Sequence, residues 1–134
     1  MVVITINEKT PSMNHLYSQS KFGRRFMTPK AKVLKLRIIN STSEQAKQQN
    51  FILNDWREKL LKVTVEIHED WWTLKDTVKK KDIANKEKFL IDSIMDGLDL
   101  DDSFIWEHTM RKVDSEVFKA VVKIEQYRGL KTPC

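Results

Sequence analysis

Cysteine is nearly missing from this 134-residue chain, its one copy being the last residue, Cys134. That excludes an intrachain disulfide and any zinc site built from thiolates, and it suits a reducing, cytoplasmic setting. No basic-then-apolar leader opens the sequence, and no apolar run approaches the roughly 18 residues that span a bilayer. A soluble protein with no membrane contact is expected. There is no internal repeat and no low-complexity tract. The length suits one domain, residues 1–134, able to bury a single core without staples.

Charge of one sign is missing from two windows. Between Glu8 and Glu44 there is no acidic residue, while Lys9, Lys21, Arg24, Arg25, Lys30, Lys32, Lys35 and Arg37 fall there. Between Lys88 and Arg111 there is no lysine or arginine, while Asp92, Asp96, Asp99, Asp101, Asp102 and Glu107 do. Either block alone reads as a solvated face. Together, a basic surface for a polyanion and an acidic pocket for a cation divide the labour as a nuclease does. The net charge of +5 says less than this distribution.

The β-branched run Val2 to Ile6 predicts a strand. Residues 7–28, with Pro11, Gly23 and scattered serines, read as a long loop, more often functional than idle at that length. Thr28-Pro29 is an N-cap followed by proline at the first helical position. The apolar residues Val33, Leu34, Leu36, Ile38 and Ile39 then predict a helix over 29–49. Leu61, Val63, Val65 and Ile67 alternate, so 60–68 is a half-buried strand ending in His68, a polar-face residue. Asp70 to Lys81 reads as loop. Trp71 and Trp72 are adjacent, so at most one need enter the core. Phe89, Leu90, Ile94, Met95 and Leu98 predict a helix from Asn85 to Leu98, with Gly97 as its C-terminal signal. Strands near 104–113 and 117–126, joined by the tight link Asp114-Ser115-Glu116, complete the order β-α-β-α-β-β. The class is α+β, a small mixed sheet with helices packed against it.

One stretch, Asp82 to Ser103, carries the chemistry. On a helix Asn85, Lys88, Asp92 and Asp96 share a face. Asp82 precedes that helix and Asp101-Asp102 follow it at the mouth of the next strand. Such a cluster costs stability unless a partner offsets the repulsion, and Mg²⁺ takes one or two carboxylates with waters and phosphate oxygens. An EF-hand reading of Asp99 to Asp102 fails, because the glycine and closing glutamate are absent.

The spacing Asp82-Ile83-Ala84-Asn85-Lys86-Glu87-Lys88, then Asp92, then Asp101-Asp102, resembles the RusA-type Holliday junction resolvases, whose pattern is Asp-x-Asp-Asn-x-x-Lys, an aspartate four residues on, and a paired Asp-Asp opening a strand. Pro11-Ser12-Met13-Asn14-His15-Leu16-Tyr17 and Met27-Thr28-Pro29-Lys30-Ala31 are similar to that family's N-terminal element and first helix, so the likeness spans nearly the whole chain. It implies a homodimeric crossover junction endodeoxyribonuclease, bacterial or phage-encoded, acting in DNA recombination and repair. Its substrate would be branched DNA, its cofactor Mg²⁺ with Mn²⁺ as a substitute. By the resemblance, Asp82, Ala84, Lys88 and Asp102 are the catalytic positions, and Asp82, Ala84, Asp101 and Asp102 the metal positions. Asn85 and Asp92 support them. Asn14, Tyr17, Lys21, Phe22, Arg24, Arg25, Lys79, Lys80 and Lys81 are the expected DNA contacts, with Phe22 or Phe26 stacking near the branch point.

The departure is Ala84, where the family has an aspartate of the metal site. Either cleavage was disabled on purpose, or this is a natural member with weakened activity. The intact neighbours favour the former, and the chain is expected to bind DNA better than it cuts it. Two other classes stand beside the nuclease: a non-catalytic protein that binds branched DNA, and a basic domain that meets protein partners through its tryptophans.

Overall fold

Apolar residues line up in rows across a four-stranded sheet, and the rows change character at its last strand. The computed structural model describes residues 1–9, 17–19, 25–72 and 84–128, with the backbone alone for 17–19, 25 and 84–86. Strands β1 (Val2–Ile6), β4 (Leu61–Glu69), β5 (Ile105–Asp114) and β6 (Lys119–Gln126) form a mixed sheet in the order β1-β6-β4-β5. β6 runs antiparallel to both of its neighbours, and β4 and β5 are parallel. The register sets Val2, Ile124, Val63 and His108 in one row; Ile4, Val122, Val65 and Met110 in the next; and Ile6, Ala120, Ile67 and Lys112 in the third. The first three members of every row are buried, each full-sized aliphatic chain contributing about 1.5–3 kcal/mol. On β5 the same face turns to histidine, methionine and lysine, so the core ends there.

Helices α1 (Pro29–Gln48) and α3 (Ala84–Leu98) complete that core, and α2 (Leu53–Trp56) is a single turn between α1 and β4. Thr28 caps α1, its Oγ1 accepting from the Ala31 amide at 3.2 Å. From α3, Phe89, Leu90, Ile94, Met95 and Leu98 are buried, as their helical spacing requires. Trp71 is buried, its Nε1 donating to the Ile67 carbonyl at 3.1 Å, while Trp72 is exposed. No described helix is long and apolar enough to cross a membrane.

The α+β class and the approximate element order are those expected, with four corrections. First, residues 7–28 contain a small hairpin, β2 (Tyr17–Gln19) and β3 (Arg25–Met27), too short for periodicity to reveal. Second, the buried residues of α1 are Ala31, Ile38, Thr42 and Ala46, whereas Val33 and Leu36 are exposed. Small residues seat α1 close against α3. Third, β5 and β6 are not a hairpin: β4 lies between them, and their link crosses the end of β4, where the Ser115 amide donates to the Glu69 carbonyl at 2.9 Å. β4, apolar on its core face and half-buried on the other, is the strand that the two flank. Fourth, the left-handed residue that ends α3 is Asp99, φ 58°, not Gly97. Asp99 donates to Asp96 and Leu100 to Met95, the paired bonds of a Schellman turn. Gly97 is inside the helix for another reason: a Cβ there would meet Thr42 Cβ at 2.8 Å.

The two outer edges of the sheet are treated differently. Along β1, Gln45 of α1 accepts from the Thr5 amide at 2.8 Å and donates to the Thr5 carbonyl at 2.7 Å. Gln49 does the same for Val3, at 2.9 and 2.7 Å. Two side-chain amides thus stand in for a neighbouring strand. β5 is the other end of the sheet, and no described strand pairs with its outer side.

Candidate active site

The core-facing stripe of α3 leaves one flank of the helix free, and the pairs 87/91 and 88/92, each four residues apart, lie on it. This flank and the start of β5 enclose a cleft of about 300 Å³ lined by Glu87, Lys88, Ile91, Asp92, Asp102, Ile105 and His108. Asp102 gets there through the turn that follows α3. After the Schellman turn, Asp101 caps a 3₁₀ turn, Asp102–Phe104, by accepting from the Ser103 amide at 2.9 Å, and this sets Asp102 at the mouth of β5.

His108 gets there through a β-bulge. The pairing with β4 runs Leu61 to Ile105, then Lys62 to Glu107, so Trp106 is the extra residue. Its insertion shifts the alternation by one and brings Ile105 and His108 onto the same face, the one the helices cover. Trp106 is 63% exposed in consequence. His108 Nε2 lies 3.1 Å from Glu87 Oε1.

Electrostatics sort the carboxylates. Burial holds Asp92 above the ordinary aspartate value, and the neighbouring Asp102 pushes the same way; Lys88 and Lys35 oppose them. Burial also raises Glu87, against the pull of His108. Asp101 goes the other way, lowered by the amide it accepts from. A cleft that holds two mutually repelling carboxylates beside a lysine suits an anion bound together with a cation: the cation relieves Asp92 and Asp102, and Lys88 is left for the anion.

Of the expected residues, the structure brings Lys88, Asp92 and Asp102 together. It separates Asp101, which is exposed and faces a different cavity of about 110 Å³ with Trp56, Arg57, Lys59 and Phe104. Asp96 leaves the stripe to pair with Lys35 of α1 at 3.0 Å. Ala84 and Asn85 open α3, and Tyr17 and Arg25 lie on β2 and β3, where Tyr17 pairs with Met27 and Arg25 with Gln19. Asp82, Asn14, Lys21, Phe22, Arg24, Lys79, Lys80 and Lys81 lie outside the described residues. Phe26 is exposed on β3. Within the basic block, Arg37 is held by Glu8 at 2.7 Å, while Lys30 and Lys32 are exposed. Glu87 and His108 are the titratable cleft residues that sequence reasoning missed, and Ile91 and Ile105 its apolar ones. Glu87 was visible one position before Lys88 on the same helical flank; His108 needed the bulge.

Among the described residues, no group of three His, Cys, Asp or Glu side chains is arranged to hold a metal ion. Asp92 and Asp102 provide two carboxylates on one cleft. The family model described as endodeoxyribonuclease RusA matches residues 8–125 of the chain. No curated protein matches it.

Proposed function

The chain belongs to the RusA endodeoxyribonuclease family, and from that premise we propose that it is a Mg²⁺-dependent enzyme that binds four-way DNA junctions as a homodimer and resolves them by paired, symmetric cuts. The observation that carries this reading is the meeting of Lys88, Asp92 and Asp102 in one cleft, a cation opposite two carboxylates. The donors suit a hard divalent ion, which takes carboxylate oxygens and fills its remaining positions with water and phosphate oxygens. Asp82 and Asp102 would hold it, with Asp92 supporting them; Asp101 is engaged in capping its own turn. When bound, the ion supplies Lewis acidity toward water and neutralises charge at the scissile phosphate.

The chain's own residues do the rest. Lys88 contacts the phosphate or stabilises the departing oxygen as charge develops there. Glu87, 3.1 Å from His108 Nε2, orients the imidazole within the cleft. Asn14, Tyr17, Lys21, Arg24, Arg25 and the run Lys79 to Lys81 bind the DNA backbone, giving salt-sensitive affinity without base readout. Phe22 or Phe26 stacks on bases near the branch point. A protein of this kind works in the cytoplasm of a bacterium, on host or phage DNA.

Ala84 opens α3 beside this site, and the family's aspartate is missing there. Ala84→Asp should raise Mg²⁺-dependent cleavage of a synthetic four-way junction by about 100-fold or more, the scale of one charge-stabilising group in an active site. Equal inactivity of both proteins would overturn the nuclease reading. Ala84 is also the one observation that favours a junction-binding protein without catalysis. Such a protein would bind junctions equally well with and without the ion and gain nothing from the substitution.

A further inference from the structure

We infer that His108, held by Glu87, is the proton acceptor in strand cleavage: it takes a proton from the water that attacks the scissile phosphorus, and Glu87 is the residue that positions it. The inference rests on the nuclease reading and adds a catalytic residue to it.

The first observation is the route by which His108 reaches the cleft. Trp106 is the extra residue of the bulge, and without it the alternation from Ile105 would send residue 108 to the open face of the sheet. Bulges are over-represented beside active sites, where they re-aim a side chain. Here the side chain is an imidazole, set in one cleft with Glu87, Lys88 and Asp92 of α3 and Asp102 of the 3₁₀ turn. From β4 its neighbour in the register is Val63, which carries no charge. Lys112, further along the same face of β5, lies over the Trp71 ring at 4.7 Å.

The second is the geometry of the pair. His108 Nε2 is 3.1 Å from Glu87 Oε1, and the ring is the more open member, its side chain 30% exposed against 15% for Glu87. With Glu87 accepting from Nε2–H, the neutral ring has its lone pair on Nδ1, the atom that can take a proton. The carboxylate then lies against the imidazolium that forms and stabilises it, as an orienting carboxylate does for a catalytic histidine. Burial raises Glu87, and a desolvated carboxylate gains most from a cation beside it.

The third is the division of roles within the cleft. Lys88 as an ammonium has no lone pair to offer. Asp102 is assigned to the divalent ion and Asp92 supports it. Among the described residues that line the cleft, His108 and Glu87 are the titratable groups left, and Glu87 is engaged by the ring. In the step itself the water oxygen bonds to phosphorus as its proton passes to Nδ1. The bond from phosphorus to the leaving oxygen breaks, its electron pair goes to that oxygen, and solvent protonates it. The imidazolium then gives its proton to solvent and the ring is ready again.

The test is Mg²⁺-dependent cleavage of a synthetic four-way junction by the parent chain and by Ala84→Asp, each with and without a second substitution. His108→Ala should lower kcat by about 100-fold and change KM by less than about threefold. Free imidazole in the buffer should raise the rate of His108→Ala by about tenfold or more and leave His108→Gln as slow as before, since glutamine fills the space and reaches Glu87 but takes no proton. Glu87→Ala should slow cleavage by about tenfold or more and add little to His108→Ala, because it acts through the ring. A merely structural pair would be repaired by His108→Gln and indifferent to imidazole. The inference falls if His108→Ala cuts within about threefold of its parent. It falls equally if imidazole revives neither His108→Ala nor the roomier His108→Gly. Inactivity of both the parent chain and Ala84→Asp overturns the nuclease reading, and this inference with it; activity in either one without loss at His108 overturns this inference alone.

Discussion

Gly97→Ala would ordinarily be a stabilising change inside a helix, by about 1 kcal/mol. Here it is expected to destabilise. The new Cβ would lie 2.8 Å from Thr42 Cβ, 3.0 Å from Thr42 Cγ2 and 3.0 Å from the Ile39 carbonyl oxygen. Thr42 is fully buried and the carbonyl is backbone, so neither can swing away. Relief must come from moving α3 off α1, and overpacking of this kind costs about 1–3 kcal/mol. Three contacts at 3.0 Å or less with groups that cannot yield put this site in the upper part of that range, about 2–3 kcal/mol, so subtracting the helix preference leaves a net loss of about 1–2 kcal/mol, or a Tm lower by roughly 3–8 °C for a domain of this size. Because α3 also carries Lys88 and Asp92, the same displacement should lower junction cleavage measured in an Ala84→Asp background, where a misplacement of 1 Å can cost about 100-fold. Asp99→Gly is the companion: it relieves the one left-handed residue at the end of the same helix and should stabilise by about 0.5–1 kcal/mol. Urea unfolding followed by circular dichroism measures both. A Gly97→Ala protein as stable as the parent, or an Asp99→Gly protein less stable, would refute this account of the α1–α3 contact.

Gln45→Ala removes both partners of the Thr5 backbone on a part-buried edge and should cost about 1–3 kcal/mol, with faster amide exchange at Thr5; Gln49→Ala, whose contacts are exposed, should cost less. Asp92 gives a pH prediction. Its carboxyl is raised in the folded state, so the native protein holds this proton more tightly than the unfolded chain does. Stability should therefore fall as pH rises from the ordinary aspartate value through the raised one, and stay lower above it. Asp92→Asn should flatten that part of the profile and be the more stable protein at pH 7 in the absence of divalent ions. Identical pH profiles for the two proteins, read from denaturant midpoints, would remove Asp102 and burial as the cause.

Elements that depend on near neighbours in the chain were readable from it. The alternation of Leu61, Val63, Val65 and Ile67, the helical spacing from Phe89 to Leu98 and the Thr28-Pro29 cap each act over a few residues, and each appears where its spacing put it. Strand order does not depend on near neighbours. A short polar link between two strands suggests a hairpin, yet β5 and β6 stand on either side of β4, because the most deeply buried strand gains by being flanked on both sides. Gly97 shows the same limit at the scale of one residue. Glycine near a helix end has two uses, a left-handed turn or a close approach, and only the position of Thr42 on another helix decides between them.

The candidate site divides along the same line. Its helical wall was legible because Lys88 and Asp92 are four apart, a spacing that means one face wherever the helix packs. Its other wall was not, since Asp101 and Asp102 are equivalent by sequence and are separated by the turn that one of them caps: Asp101 spends its carboxylate on the Ser103 amide and faces away, and that bond is what presents Asp102 to the cleft. His108 enters by a still less local route. From Ile105, strict alternation would send it to the open face of the sheet, and the extra residue Trp106 reverses this. The bulge thus does two things at once. It turns a histidine into the site beside Glu87, and it leaves a tryptophan exposed on the edge strand. One wall of the candidate site and the outer edge are in this way properties of one strand, and a substitution that straightened β5 would be felt at both.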